Sequence, residues 1–187
     1  MSRWALVLVA MAGCLQGAAA PAAEPAPATP AAQAAPAAQA APASQPGASD
    51  SLSAEAAGAA VFAANCVVCH GAKGQGQPSL APPLTIYPAR YAGIPEGRRQ
   101  LAMTVLGGMF GGIDVEGHHF DFKMPEFAQL DDAALASVLN FVVFALAQAP
   151  AQVPRLTAEE IKAERASPLT GAQVREHRAK VLGLLGL

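Results

Sequence analysis

Cys66-Val67-Val68-Cys69-His70 limits this chain more than any other part of its sequence. Two thiols three positions apart can each add to one vinyl group of the same porphyrin. The adjacent imidazole is then held close under the ring, where it can bind iron as the proximal ligand. A bare Cys-x-x-Cys would be weaker evidence, because redox dithiols and half zinc sites share it. No second cysteine pair is present to complete a zinc site, and no βαβ pattern surrounds the motif. The pentapeptide therefore predicts one covalent c-type haem, with Cys66 and Cys69 as thioether attachment points and His70 as an iron ligand. The fold must wrap a flat apolar macrocycle.

The 187 residues are not uniform in composition. Residues 18–50 are almost entirely Ala, Pro, Gln and Ser, with Thr29 the one β-branched residue and no aromatic. Such a stretch cannot offset its ordering entropy by burial, so 21–50 is expected to be a disordered, partly extended linker. Its alanines inflate the 52% hydrophobic content. Residues 51–150 remain for one compact domain, with 151–187 as a tail. The formal net charge of −2 argues against a nucleic-acid partner.

Residues 1–20 read as an export signal. Arg3 supplies a positive start, and Trp4 to Ala12 is an apolar run too short to span a bilayer. Two processing routes stay open. Ala18-Ala19-Ala20 resembles an ordinary cleavage site, whereas Met11-Ala12-Gly13-Cys14 resembles a lipobox in which Cys14 is acylated. The expectation is an exported, periplasmic protein, tethered to the membrane if Cys14 carries lipid. A flexible segment 15–50 would then reach on the order of 30–36 Å. In an oxidising compartment Cys66 and Cys69 must stay reduced until thioether formation consumes both.

Within the domain, Ser53 is a candidate N-cap for a helix to Asn65. Gly58, Phe62 and Cys66 recur every fourth residue and share one face. Glycine there costs about 1 kcal/mol relative to alanine and makes sense where another helix crosses closely. The expected partner runs from its cap at Asp131 to Ala147. Its apolar stripe is Leu135, Val138, Leu139, Val142 and Leu146. A middle helix is expected over Glu96–Leu106, and a small hairpin over Ile113–Phe120 turning at Glu116-Gly117. The fold class is all-α.

The domain 53–148 resembles a class I cytochrome c, of the small bacterial kind related to the haem subunits of terminal oxidases. Gly58, Phe62 and Cys66 match that family's N-terminal helix, and Phe141 stands where its C-terminal helix carries an aromatic. The resemblance implies that a proline carbonyl after the glycine-rich loop receives the proximal imidazole N–H. Pro82, following Gly71-Ala72-Lys73-Gly74-Gln75-Gly76, is the candidate. It also implies an axial methionine shortly before the final helix, and Met124-Pro125 fits. Taken alone, a loop methionine is more often packing than ligand. Met109 is the competing methionine, and Met103 is expected to pack against the core. His118 and His119 read as solvated hairpin residues. Tyr87, Arg90, Tyr91, Arg98 and Arg99 are candidates to hydrogen-bond the haem propionates.

A His/Met pair leaves iron no open position for a substrate, and thioether sulfur raises the reduction potential. The expected function is one-electron transfer between a redox donor and acceptor, without catalysis by the chain alone. Three alternatives stay open: a haem subunit of a periplasmic dehydrogenase, a haem sensor or enzyme with a labile sixth ligand, and a haem-free dithiol. In the tail, Thr157 to Glu160 forms a capping box for a helix to about Ala166. After Ser167-Pro168 a second helix is expected from Gly171 toward Leu184. Val174, Val181, Leu182 and Leu185 form its apolar side, with Arg175, Arg178 and Lys180 placed elsewhere. Docking on the core is the expected role of this tail, and contact with a redox enzyme the alternative.

Overall fold

The computed structural model describes residues 48–187. The export signal over 1–20, Cys14 and the linker as far as Gly47 lie outside the described residues. Helix α1 spans Ala48–Asn65, so it starts before Ser53 and takes in the last three residues assigned to the linker. No glycine or proline interrupts the sequence from Ala48 to Gly58, and Ser53 lies inside the helix instead of capping it.

Gly58 is where α1 meets helix α5, Asp132–Asn140. A Cβ at Gly58 would fall on the Ser137 carbonyl and within 2.9 Å of the Phe141 Cβ. One turn later the Phe62 and Phe141 rings pack at 5.4 Å between centroids, tilted by 49°. The Asp131 carboxylate caps α5 by accepting the Ala134 N–H at 2.7 Å.

The helix expected to continue to Ala147 changes winding at Phe141. Residues Phe141–Leu146 form a π-helical turn, closed by Ala147 N–H donating to the Val142 carbonyl. The wider turn begins at the residue that abuts Gly58. Asn140 pairs with both backbone groups of Leu156 at 2.9 and 2.8 Å, which ties the start of the tail to the end of α5.

Between these helices lie α2 (Val67–His70), α3 (Pro88–Ala92) and α4 (Pro95–Gly107). The two short helices are not legible as periodic segments, but α4 follows the expected Glu96–Leu106 closely. Strands β1 (Ile113–Val115) and β2 (His118–Phe120) pair antiparallel in the register Ile113 to Phe120. Glu116 and Gly117, at φ 50° and 77°, turn the hairpin in the left-handed region.

The tail forms α6 (Ala158–Arg165) and α7 (Gly171–Leu184), each opened by a reciprocal capping box, Thr157 with Glu160 and Thr170 with Gln173. Both dock on the domain and bury Ile161, Val174 and Val181 completely. Ile161 and Val181 complete a core with Leu101, Leu135 and Val143. Among the described residues no helix is long and apolar enough to cross a membrane.

Candidate functional site

Cys66 closes α1 and opens α2, so the motif sits on a tight double turn. His70 N–H donates to the Cys66 carbonyl at 2.9 Å and Gly71 N–H to Val67 at 2.9 Å. The loop beyond folds back over this turn. Gly76 N–H donates to the His70 carbonyl at 2.8 Å, and the Gln77 side chain donates to the Val68 carbonyl at 2.7 Å. Gln77 and Ala81 then pair as an antiparallel bridge, which carries Pro82 back over the imidazole.

The His70 ring Nδ1 lies 3.0 Å from the Pro82 carbonyl oxygen. A carbonyl only accepts, so Nδ1 carries the proton and Nε2 presents a lone pair. Burial holds the His70 pKa below its usual value and outweighs the opposing pull of the Pro82 hydrogen bond. The ring is thus neutral, oriented and able to coordinate.

Cys66 and Cys69 are both half-buried free thiols. Burial first, and the neighbouring Cys69 second, push the Cys66 thiol up to about 11. A reactive redox dithiol needs the opposite shift. Among the described residues no group of three or more His, Cys, Asp and Glu is placed to hold a metal ion.

Two adjoining cavities, of about 750 and 820 Å³ including their open mouths, meet at Cys66, His70, Pro82, Met109 and Ile113. Met124 and Cys69 line the first cavity. Leu101, Val105, Leu139 and Val142 wall the second. The two thiols, the imidazole, Pro82 and Met124 therefore border one continuous, mostly apolar crevice. At its mouth Val68 is 77% and Phe122 60% exposed. Met103 is fully buried in the core. His118 and His119 lie exposed on β2, and His119 Nδ1 is 3.0 Å from Asp114.

The arginines expected at the propionates are otherwise engaged, and that expectation is corrected. Arg98 forks onto the Glu160 carboxylate at 2.8 and 2.7 Å. Arg99 pairs with Glu164 at 3.2 Å, and Arg90 donates to the Leu185 carbonyl at 2.9 Å. All three hold the tail. Tyr87 and Tyr91 do line the inner cavity. The residue that sequence reasoning misses is Arg178. Expected off the apolar side of α7, it is instead buried between Val174 and Val181 and faces the same cavity. The 174, 178, 181 spacing carries the signal, since residues at those intervals share the docked face.

These features fit an apolar, carboxylate-bearing macrocycle. The thiols, the oriented imidazole and a thioether surround the crevice. The Tyr91 hydroxyl, buried and lining the cavity, has no hydrogen-bond partner of good geometry.

The fold and crevice together define a small helical domain built around a thiol-attached haem. The chain belongs to the cytochrome c family. Residues 55–146 match the family model described as "Cytochrome c". The chain is 40% identical over 133 residues to a cytochrome c-552 of Thermus thermophilus, covering 70% of this chain and 88% of that protein. A second cytochrome c-552 of Thermus thermophilus is 39% identical over 132 residues, 70% of this chain and 99% of the relative. Membership makes the chain an electron carrier with a covalently bound haem c.

When bound, that group supplies reversible one-electron chemistry at iron. The chain's own contribution is to fix the His70 ring through Pro82, to exclude water with Leu101, Val105 and Leu139, and to leave the mouth at Val68 and Phe122 open.

Proposed function

We propose that the chain carries single electrons between periplasmic or membrane redox proteins, with haem joined to Cys66 and Cys69 and iron held axially by His70 and Met124. The carrying observation is the His70–Pro82 hydrogen bond at 3.0 Å, which frees Nε2 toward a crevice that Met124 also lines. Two protein ligands would leave iron no site for a substrate, which suits outer-sphere transfer and not catalysis. The exposed apolar residues Val68 and Phe122 at the mouth suit a transient partner docking close to the electron's exit.

Met109 is the rival ligand, because it lines both cavities. Two variants separate them. Met124→Ala is expected to abolish the Met–Fe(III) charge-transfer band at the red end of the visible spectrum and to lower the midpoint potential. Met109→Ala is expected to keep the band. An exchange of these results would transfer the ligand role to Met109.

Export and lipid anchoring rest on the sequence of residues 1–20. Acylation at Cys14 would tether the domain and raise its effective concentration near membrane-bound partners. A Cys14→Ser protein that is still exported but leaves the membrane fraction supports the anchor. A wild-type protein beginning after residue 19, with no lipid mass, rules it out.

A further inference from the structure

Arg178 and Tyr91 form a polar corner in an otherwise apolar cavity. Arg178 comes from the tail helix α7 and is 8% exposed, and Tyr91 comes from α3 and is 6% exposed. The guanidinium donates one hydrogen bond, at 3.2 Å, to the Asp114 carbonyl and lies 5.7 Å from the centre of the Tyr87 ring. No carboxylate of the described residues pairs with it. The Asp114 carboxylate is spent on His119, and Glu116 accepts from the Tyr87 hydroxyl at 3.3 Å. A buried, unpaired charge costs roughly several kcal/mol, so an arginine is retained there only with a compensating anion. The Tyr91 hydroxyl meets the same guanidinium, and its own O–H finds no acceptor.

We infer that Arg178 and Tyr91 together hold a haem propionate carboxylate, which makes the C-terminal tail a wall of the haem site. This assignment rests on the haem c of the cytochrome family. A planar guanidinium with a phenol is matched to a carboxylate, and both donors line the cavity that adjoins Cys66 and His70. It also gives the tail a role beyond packing. The ties from Arg98 to Glu160 and from Arg90 to Leu185 fasten the tail to the domain.

The midpoint potential measured against pH tests this. A carboxyl near iron binds its proton more tightly in the reduced state, so the potential falls as pH rises through its titration. The Arg178 charge keeps that carboxyl ionised to low pH. Arg178→Gln is expected to move the falling limb upward by about 1–3 pH units. Tyr91→Phe should move it the same way by less, and Arg178→Lys by less than Arg178→Gln. Two controls apply. His177 titrates nearby and its ring Nδ1 is 2.7 Å from Gln100, which lines the same cavity, so His177→Asn must leave the limb in place. Arg90→Gln loosens α7 without entering the cavity and must also leave it.

An unmoved limb in Arg178→Gln, or an equal move in either control, overturns the assignment. Should Arg178→Gln not fold, an unmoved limb in Tyr91→Phe overturns it. A pyridine haemochrome on every variant reads haem attachment separately. Its absence from the wild type would therefore refute the cofactor and not the propionate contact alone.

Discussion

Met109 and Met124 face each other across an antiparallel bridge, Met109 N–H donating to the Met124 carbonyl at 3.1 Å and Met124 N–H to the Met109 carbonyl at 2.8 Å. Residues paired this way project their side chains to the same face, so both thioethers border the crevice. The bridge fixes the backbone of Met124 from a loop that carries no regular structure of its own.

Gly108 keeps that bridge in place. It sits at φ +66°, and a Cβ there would lie 2.5 Å from the Met124 carbonyl oxygen and 3.0 Å from Glu126 N. Gly108→Val combines the strain of a glycine-only backbone region (φ 66°, ψ −168°), about 1–3 kcal/mol, with a collision against the Met124 backbone. The variant is expected to retain covalent haem but lose part of the red charge-transfer band, read by absorption of the ferric protein. An undiminished band would mean the bridge does not position Met124.

At the helix crossing, Gly58→Val places new atoms against the Ser137 carbonyl and the Phe141 Cβ. Overpacking of this kind destabilises by about 1–3 kcal/mol. A denaturant midpoint lowered to match, with an unchanged slope, is the expected outcome.

This crossing is legible in the sequence because a glycine on the apolar face of a helix sacrifices stability that only a close neighbour can return. The hairpin turn and the tail's first capping box are legible through turn and cap chemistry local to a few residues. The π-helical turn at Phe141 is not, since the apolar periodicity runs on through it as in an ordinary helix. Arg178 escapes notice for a related reason. An arginine at a docked position of a helix looks like a solvated one unless the cavity beneath it is known. The approach of Pro82 to His70 comes from family resemblance, and the hydrogen bonds of Gly76 and Gln77 give its physical cause.

Arg165 reaches from α6 to the loop between Met124 and α5. It donates to Asp132 at 2.7 Å and to the carbonyls of Ala128 and Leu130 at 2.6 and 2.8 Å. Hydrogen bonds to charged groups contribute about 1.5–3 kcal/mol each. Arg165→Ala should loosen the loop and let exogenous imidazole displace the distal ligand more readily. An apparent affinity about tenfold higher corresponds to roughly 1.4 kcal/mol. Unchanged imidazole titration would disconnect the tail from the distal loop.

Burial pushes the Glu160 carboxyl up, but hydrogen bonds from Arg98 and Thr157 and the Arg98 charge outweigh it, so its pKa lies below the ordinary 4.5. A depressed folded-state pKa gives stability present above the unfolded value and lost as pH falls through the folded one. Glu160→Gln is therefore expected to be less stable than wild type at neutral pH, with the difference vanishing in acid below the carboxylate range. The Glu160 side chain is 42% exposed, so the effect should not exceed about 1 kcal/mol. Thermal melts from about pH 3 to 7, spanning the carboxylate range on both proteins, check it.

Proton NMR of the reduced protein shows whether a His70–Met124 pair closes the coordination of iron. A methionine methyl bound over the macrocycle is moved far upfield by the ring current, out of the ordinary aliphatic region. One such three-proton resonance is expected, retained in Met109→Ala and absent from Met124→Ala. A reduced wild-type spectrum without that resonance, or its survival in Met124→Ala, would rule out Met124 as the axial ligand.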